Sequence, residues 1–363
     1  MKKLTLTIIA LALAAAANAV EMENKSLDQL YQDALKEGGH LVVYAGGDTP
    51  DQQNGIKAAF EARFPGITLD TIVDYSKIHD ARIDYQLATK QLKADIAQLQ
   101  TLQDFPRWKA ENQLMAYKPN GWDKVYGDFK DQDGAWTGVF IDAFSNVINQ
   151  KALGDLPAPN SYADYAKPIY KGKIVSTYPN DDDAVLFAYK LAIDKNGWNW
   201  LAKLIENQPH FVRGTQAPAD DVESGKYAVT FSTDGGLKAD PSANAKFELP
   251  KNGDFVAWAQ RAAIFKDAPH PAAAKLYLNW LLDKQTQQNV WYMWSVRTDV
   301  PAPQGYKPIW EYKNANLKGF ENFMANRAAV EQFRAKVHLF VGDVKGNSSA
   351  GELGLLPTQA ISQ

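Results

Sequence analysis

The stretch HLVVYAGGDTPDQQNGIKAAFEARFP, residues 40–65, contains the pattern that decides the fold. Its apolar run, residues 41–44, is typical of a buried parallel strand. The run ends abruptly at Gly46-Gly47-Asp48-Thr49. Residues 52–64 then place apolar side chains at helical spacing until Pro65-Gly66 ends the segment. The stretch therefore predicts a strand, a glycine-containing turn and a helix in immediate succession.

Strand and helix signals alternate along the rest of the chain. Further strands are predicted at residues 67–73, 94–99, 172–177 and 226–231, and helices at residues 80–93, 102–111, 181–194, 197–207, 216–224, 271–282, 284–291, 318–326 and 328–340. Strand–helix units at this spacing predict an α/β architecture with a mostly parallel sheet.

Two extended, largely apolar segments, residues 136–149 and 254–265, divide the chain into two α/β lobes. The chain enters the second lobe through the first segment and returns through the other, so the lobes enclose a cleft with a double-strand hinge. We assign residues 20–138 and 262–345, with the C-terminal helices, to lobe 1, residues 139–261 to lobe 2, and residues 346–363 to a loosely ordered tail.

The N-terminus has the pattern of a secretory signal peptide. Lys2 and Lys3 precede an uncharged apolar run at residues 4–16, and Ala17-Asn18-Ala19 fits a cleavage site. A membrane anchor is the alternative, but the run is shorter than the roughly 20 residues that a spanning helix needs. Cleavage of residues 1–19 would leave 344 of the 363 residues and would take the net charge from −3 to −5.

Composition argues against several classes of function. The chain has no Cys, which excludes disulfides, thiolate catalysis and Cys-ligated metals. A negative net charge argues against nucleic acid as a partner. The five His lie apart without a His-Glu-x-x-His frame, and no Gly-x-Ser-x-Gly elbow occurs. We therefore predict no catalytic residue, no cofactor and no metal ligand, and a secreted enzyme stays only as a remote alternative.

Three strand ends carry polar and glycine residues that favour a ligand site. Ligands of open α/β sheets bind beyond the carboxyl ends of strands, and the spacing of a nucleotide loop is absent. Each strand end could also be only a turn with a helix N-cap, and each aromatic could be core. The candidate substrate-binding residues are Tyr44, Gly46, Gly47, Asp48, Thr49, Tyr178, Asn180, Asp181, Ser232, Thr233, Asp234 and Trp291.

Several longer motifs resemble one family. They are KEGG before the first strand (residues 36–39), ESGKYAV (223–229), APHPAAAKLYLNWLL (268–282) and VRTDVP (296–301). These motifs are similar to those of the extracellular solute-binding proteins of ABC importers, in the branch that includes ferric-iron binding proteins. The resemblance extends over about residues 28–345. It implies a two-lobe type II periplasmic binding fold that closes on a solute and delivers it to an ABC permease in the inner membrane. We expect the protein to be a monomer in the periplasm.

The expected solute is small and polar. Iron-binding members of the family carry two adjacent Tyr after the strand that corresponds to residues 227–231, whereas this chain has Ser232-Thr233-Asp234. The difference argues against iron and leaves both amine-bearing and phosphorylated solutes open. A ferric-iron protein with a non-standard site stays as the alternative. The run Asp181-Asp182-Asp183 could hold a cation, but a solvated helix N-terminus also accounts for it, and we favour that interpretation.

Overall fold

Two long strands connect the two halves of the sheet. The computed structural model describes residues 20–238, 240–290 and 293–357. Its strands are β1 (His40–Gly46), β2 (Thr68–Asp74), β3 (Ile96–Leu99), β4 (Thr137–Asn149), β5 (Val175–Thr177), β6 (His210–Val212), β7 (Val229–Thr233), β8 (Ala245–Glu248) and β9 (Val256–Ile264). The order in the main sheet is β2-β1-β3-β9-β4-β7, and β8 also pairs with β4.

Helices cover the sheet, and their ends follow local capping signals. They are α1 (Leu27–Glu37), α2 (Asn54–Arg63), α3 (Ser76–Ala88), α4 (Asp104–Ala110), α5 (Gln150–Leu153), α6 (Asp183–Asn196), α7 (Trp198–Glu206), α8 (Gln216–Glu223), α9 (Pro271–Leu282), α10 (Lys284–Asn289), α11 (Leu317–Ala325) and α12 (Arg327–Val341). Ser26 and Gln29 form a capping box at the start of α1. Pro271 opens α9, where its missing N–H is not needed.

The crossing strands confirm the two-lobe fold with a double-strand hinge. The first part of β4, residues 137–144, pairs with β9, whereas residues 145–149 pair with β7 and β8 of lobe 2. At its other end β9 pairs with β3 of lobe 1. Both crossing strands run antiparallel to their neighbours, so the sheet is mixed rather than mostly parallel as the strand–helix spacing predicted.

Each lobe has its own aromatic core. In lobe 1, Phe60 makes edge contacts with Tyr277 and Trp280 beneath β1. In lobe 2, Phe231 on β7 lies against Tyr165 and other buried rings. Burial of such rings stabilises each lobe, because they remove large apolar areas from water.

The C-terminal helices pack on lobe 2, which differs from the assignment of residues 262–345 to lobe 1. Phe320 and Phe323 of α11 lie 5.5 and 5.2 Å from the ring of Phe187 on α6. Trp198, at the start of α7, stacks on Phe340 of α12 with ring centroids 5.5 Å apart. An amphipathic pattern identifies the apolar face of a helix but not the surface that it packs against. The sequence pattern therefore did not determine which lobe the C-terminal helices cover.

The segment after α12 has no regular structure, yet it makes specific contacts with lobe 1. Arg82 Nε donates to the Gly354 carbonyl at 2.7 Å, and Gln86 Nε2 donates to the Leu355 carbonyl at 2.9 Å. Ala350 is 1% exposed. Up to residue 357 this tail is therefore held rather than loose. The predicted signal peptide and residues 358–363 lie outside the described residues. Among the residues that the structure does describe, no helix is long and apolar enough to span a bilayer.

Candidate functional site

A cavity of about 90 Å³ lies between the lobes at the carboxyl ends of the strands. Its walls come from the turn after β1, the start of α3, the crossing strands, the start of α6, and the turns after β6 and β7. Five of the residues predicted from sequence line this cavity: Gly46, Gly47, Asp48, Asp181 and Asp234. The structure therefore brings strand ends of both lobes to one place.

Glycine at positions 46 and 47 allows close packing of the turn after β1. A Cβ atom on Gly46 would collide with Ser76 Oγ, and one on Gly47 would lie 2.7 Å from Val73 Cγ1. Only glycine lets the first turn of α3 approach β1 this closely. The glycines thus shape the lobe 1 wall of the cavity by their lack of side chains.

Asp48 links lobe 1 to the first turn of α8 in lobe 2. Its Oδ2 accepts hydrogen bonds from Thr215 N at 2.7 Å, Thr215 Oγ1 at 2.7 Å and Gln216 N at 2.9 Å. A carboxylate at a helix N-terminus satisfies free N–H groups and interacts favourably with the helix dipole. We refer to this contact between Asp48 and Thr215–Gln216 as the interlobe latch.

A second contact between the lobes neutralises Asp181. Lys77 Nζ of α3 lies 2.6 Å from Asp181 Oδ1, and Arg213 Nε of lobe 2 donates to Asp181 Oδ2 at 2.8 Å. Burial opposes ionisation of this carboxyl, but Arg213 and Lys77 together hold the pKa of Asp181 below its ordinary value. Arg213 also lies over the Tyr75 ring of lobe 1, at 5.5 Å.

Three other carboxyl groups of the cavity have raised pKa values. Burial, with the nearby charges of Asp234 and Asp48, raises the pKa of Asp142 well above its ordinary value. Burial and Asp48 also raise the pKa of Asp234. For Asp182, burial and the charges of Asp183 and Asp48 raise the pKa to about 7, although the side chain accepts a hydrogen bond from Val185 N. The cavity thus holds carboxyl groups that repel one another.

The crossing strands supply the floor of the cavity. Asp142 lies opposite Trp258 in the β4–β9 pair, so the two side chains project from the same face. Phe144 and Gln260 lie two residues further along each strand and share that face. The Phe144 and Trp258 rings meet edge to face with centroids 4.9 Å apart, and Trp258 Nε1 donates to Gln260 Oε1 at 3.0 Å.

Two predicted tyrosines belong to apolar packing rather than to the cavity. Tyr44 is fully buried, stacks on His79 with centroids 4.7 Å apart, and accepts a hydrogen bond from Gln86 at 2.9 Å. Tyr178 stacks on Phe211 at 5.3 Å. The alternative of core packing, left open for every aromatic, describes both of them.

Four predicted polar residues also lie away from the cavity walls. Ser232 and Thr233 are fully buried, and Ser232 Oγ accepts a hydrogen bond from Thr177 N at 2.9 Å. Asn180 donates to the Gly342 carbonyl at 3.0 Å. Thr49 is partly exposed beside the lining residue Asp48. Trp291 lies outside the described residues.

Sequence reasoning missed Asp142, Trp258, Lys77 and Thr215. Asp142 is the only charged residue of the apolar crossing segment 136–149, which is a signal that could have identified it. Lys77 and Thr215 follow β2 and β6, so the same strand-end argument applies to them. The short strand β6 was not predicted, and its end was therefore not considered.

The chain belongs to the bacterial extracellular solute-binding protein family, which it matches over residues 94–323. Members of this family bind solutes, and an extracellular solute-binding protein of a bacterium functions outside the cytoplasmic membrane. No curated protein matches the chain.

Solved structures share the fold at low sequence identity. The substrate-binding protein of an ABC transporter from Agrobacterium tumefaciens is 14% identical, with TM-score 0.68, over 83% of this chain and 94% of that one. The periplasmic binding protein AfuA from Actinobacillus pleuropneumoniae, with fructose-6-phosphate bound, is 20% identical, with TM-score 0.66 over 84% and 98%. Iron-bound HitA from Pseudomonas aeruginosa is 16% identical, with TM-score 0.62 over 82% and 99%. These similarities identify the type II periplasmic binding fold.

Proposed function

We propose that this protein captures a small polar solute in the cavity between its lobes and delivers it to an ABC permease in the inner membrane. The observation that carries the proposal is the cavity itself, whose walls come from the strand ends of both lobes. A solute held there contacts both lobes at once, so its binding favours the closed arrangement over an open one. The predicted signal peptide agrees with delivery to the periplasm and stays a prediction.

The contacts between the lobes support a binding cycle of opening and closing. The interlobe latch and the Lys77–Asp181 ion pair both join lobe 1 to lobe 2 across the cleft. Two pieces of chain, β4 and β9, connect the lobes at the hinge. A rotation about these strands would break the two contacts and open the cavity while leaving each core intact.

Native purification followed by mass spectrometry of released small molecules tests the proposal. We expect one solute per protein, bound without chemical change, and a smaller radius of gyration when the solute is added back to the stripped protein. Conversion of the solute to a product would support an enzyme on this fold instead. An unchanged radius at saturation would contradict closure.

Iron is less well supported than an organic solute. In the portion covered by the structure, no group of three or more His, Cys, Asp or Glu side chains is arranged to hold a metal ion. Ser232 and Thr233, where iron carriers of the family have tyrosines, are buried within lobe 2. Ferric iron prefers hard anionic oxygens arranged around it, and the carboxyl groups of this cavity are not grouped in that way.

A further inference from the structure

We propose that the solute of this cavity is a small organic cation, such as a primary amine or a short diamine. This inference rests on the proposed function, because it names the chemical class of the solute that the closed cavity would hold. The argument depends on the charges of the wall, on one unpaired carboxyl group, on the aromatic floor and on the volume.

Negative charge dominates the wall. Six carboxyl groups line the cavity, and Lys77 is the one cation among its described lining residues. Three of the six already have hydrogen-bond or ion-pair partners within the protein. Asp48 is held by α8, Asp181 by Lys77 and Arg213, and Asp183 by Arg327 and Arg334. The remaining three, Asp142, Asp182 and Asp234, form no ion pair in the part of the chain that the structure describes.

Asp142 is the strongest indication of a cationic ligand. Among the described residues, its carboxyl group has neither a hydrogen-bond partner nor an ion-pair partner, although it lies between the lobes on β4 and is only partly exposed. Ionisation of this partly buried carboxyl group is unfavourable while it lacks a partner, and its raised pKa agrees with this. A cation in the cavity would remove that penalty, because it would bring an opposite charge to Asp142 and Asp234 together. No side chain of the described wall performs this task.

The same wall disfavours an anionic solute, which decides between the amine-bearing and phosphorylated solutes. Lys77 and Arg213 are both engaged by Asp181. The first N–H groups of α8, which would suit a phosphate, are already bonded to Asp48. A phosphate in this cavity would therefore face three carboxyl groups without ion pairs, and the start of α3, which has no side-chain cap, would offset them only in part, because a helix N-terminus carries about half a positive charge.

The aromatic floor of the cavity and the cavity volume define the chemical class of the solute more closely. Phe144 and Trp258 present aromatic surface beside Asp142, which suits the methylene groups of an amine and allows a cation–π contact. The cavity has a volume of about 90 Å³, which favours a compact solute over an extended one.

Isothermal titration calorimetry with molecules of matched length and different charge tests the inference. The stripped protein is titrated with 1,4-diaminobutane, 1,4-butanediol and succinate, and then with a panel of amines, alcohols and acids of similar size. We expect binding among the cations, at one per protein, and no binding of the neutral and anionic counterparts. If the neutral or anionic set binds and no cation does, the inference is overturned while the proposed function survives. If no member of any set binds, the inference is overturned, and mass spectrometry of natively purified protein decides the proposed function separately.

Single substitutions locate the site of binding. Asp142→Asn and Asp234→Asn should each lower the affinity for the amine at least tenfold, whereas Asp221→Asn should leave it unchanged. Asp221 pairs with Lys226 outside the cavity, so that variant controls for net charge alone. Thermal denaturation of the ligand-free variants shows whether each variant is folded, so that a loss of affinity is not mistaken for a loss of structure. We expect Asp142→Asn to be as stable as the parent or more stable, because it removes a carboxyl group that has no partner and lies near Asp234 and Asp48. Equal losses of affinity in Asp142→Asn and Asp221→Asn would overturn the assignment.

Proton release gives an independent readout. The carboxyl groups that face one another across the cavity come from every wall, with Lys77 as the facing cation: Asp142 (β4), Asp234 (after β7), Asp48 (after β1), and Asp181, Asp182 and Asp183 (start of α6). A cation favours the ionised forms of Asp142, Asp182 and Asp234, whose pKa values are raised, so amine affinity should rise from pH 5.5 to pH 8 while protons are released into the buffer. An affinity that is flat over this range would count against binding beside these groups.

Discussion

The interlobe latch makes a quantitative prediction about closure. Asp48→Ala removes three hydrogen bonds of 2.7–2.9 Å between a carboxylate and the first turn of α8. A hydrogen bond to a charged group is worth about 1.5–3 kcal/mol net. Repulsion between Asp48 and the neighbouring carboxyl groups offsets part of this sum. We therefore expect the closed arrangement to lose about 2 kcal/mol relative to the open one, which lowers the ratio of closed to open molecules about thirtyfold.

Fluorescence energy transfer between the lobes measures this ratio directly. The chain has no native Cys, so Lys36→Cys on lobe 1 and Lys226→Cys on lobe 2 can be labelled without background. Both lysine side chains are exposed, at 77% and 57%. In the ligand-free protein, Asp48→Ala should shift the distance distribution towards longer distances. The reference is the distance distribution of the doubly labelled parent, measured at the same pH and ionic strength.

The matched control is Asp283→Ala. Asp283 also accepts hydrogen bonds from a helix N-terminus, that of α10, but both partners lie in lobe 1. Its removal should lower the melting temperature by a few degrees, since an N-cap is worth about 1 kcal/mol, and should leave the distance distribution unchanged. A distribution that Asp48→Ala does not alter, while Asp283→Ala behaves as expected, would refute the role of the latch.

Four further predictions follow from individual contacts. Gly214→Ala should favour the open form more than Gly172→Ala does in the same assay, because both glycines have positive φ but only a Cβ on Gly214 would crowd Asp48 and Ser349. Asp182 has a folded pKa of about 7, above its ordinary 3.8, so the free energy of unfolding should fall as pH rises from about 4 to 7, and Asp182→Asn should flatten that decline in urea titrations. Deletion of residues 346–363 should lower the free energy of unfolding by about 1–3 kcal/mol in urea, because buried Arg82 and Gln86 lose carbonyl partners. The purified protein should stay colourless with excess ferric citrate and show no thermal shift; a stable coloured complex at one iron per protein would contradict this.

The crossing strands could be predicted from sequence because burial on both faces gives them largely apolar runs. Residues 136–149 and 254–265 were expected to cross between the lobes, and β4 and β9 do so. The predicted helix at residues 271–282 coincides with α9, whose start is set by Pro271. In these elements the local pattern and the tertiary environment favour the same structure.

The site was harder to predict, because a strand end indicates a place but not the direction of a side chain. Ser232 and Thr233 still belong to β7, which is buried along its whole length, whereas Asp234 follows the strand and reaches the cavity. Tyr44 lies within β1, two residues before its end, and its side chain packs against His79. The contacts of Asp48 with α8 depend on how the lobes meet, and no pattern within one lobe contains that information.

Closure and ligand charge are coupled through the same carboxyl groups. Closing the cleft brings Asp48 of lobe 1 near Asp142 and Asp234, and their mutual repulsion opposes the closed form. The interlobe latch offsets this repulsion, because α8 stabilises the Asp48 charge. Because the latch outweighs the repulsion by only about 2 kcal/mol, a cation in the cavity would favour closure further by neutralising the carboxyl groups, whereas an anion would oppose it. A binding protein built in this way would discriminate by charge twice, once in the contacts that the solute makes and once in the closure that those contacts permit.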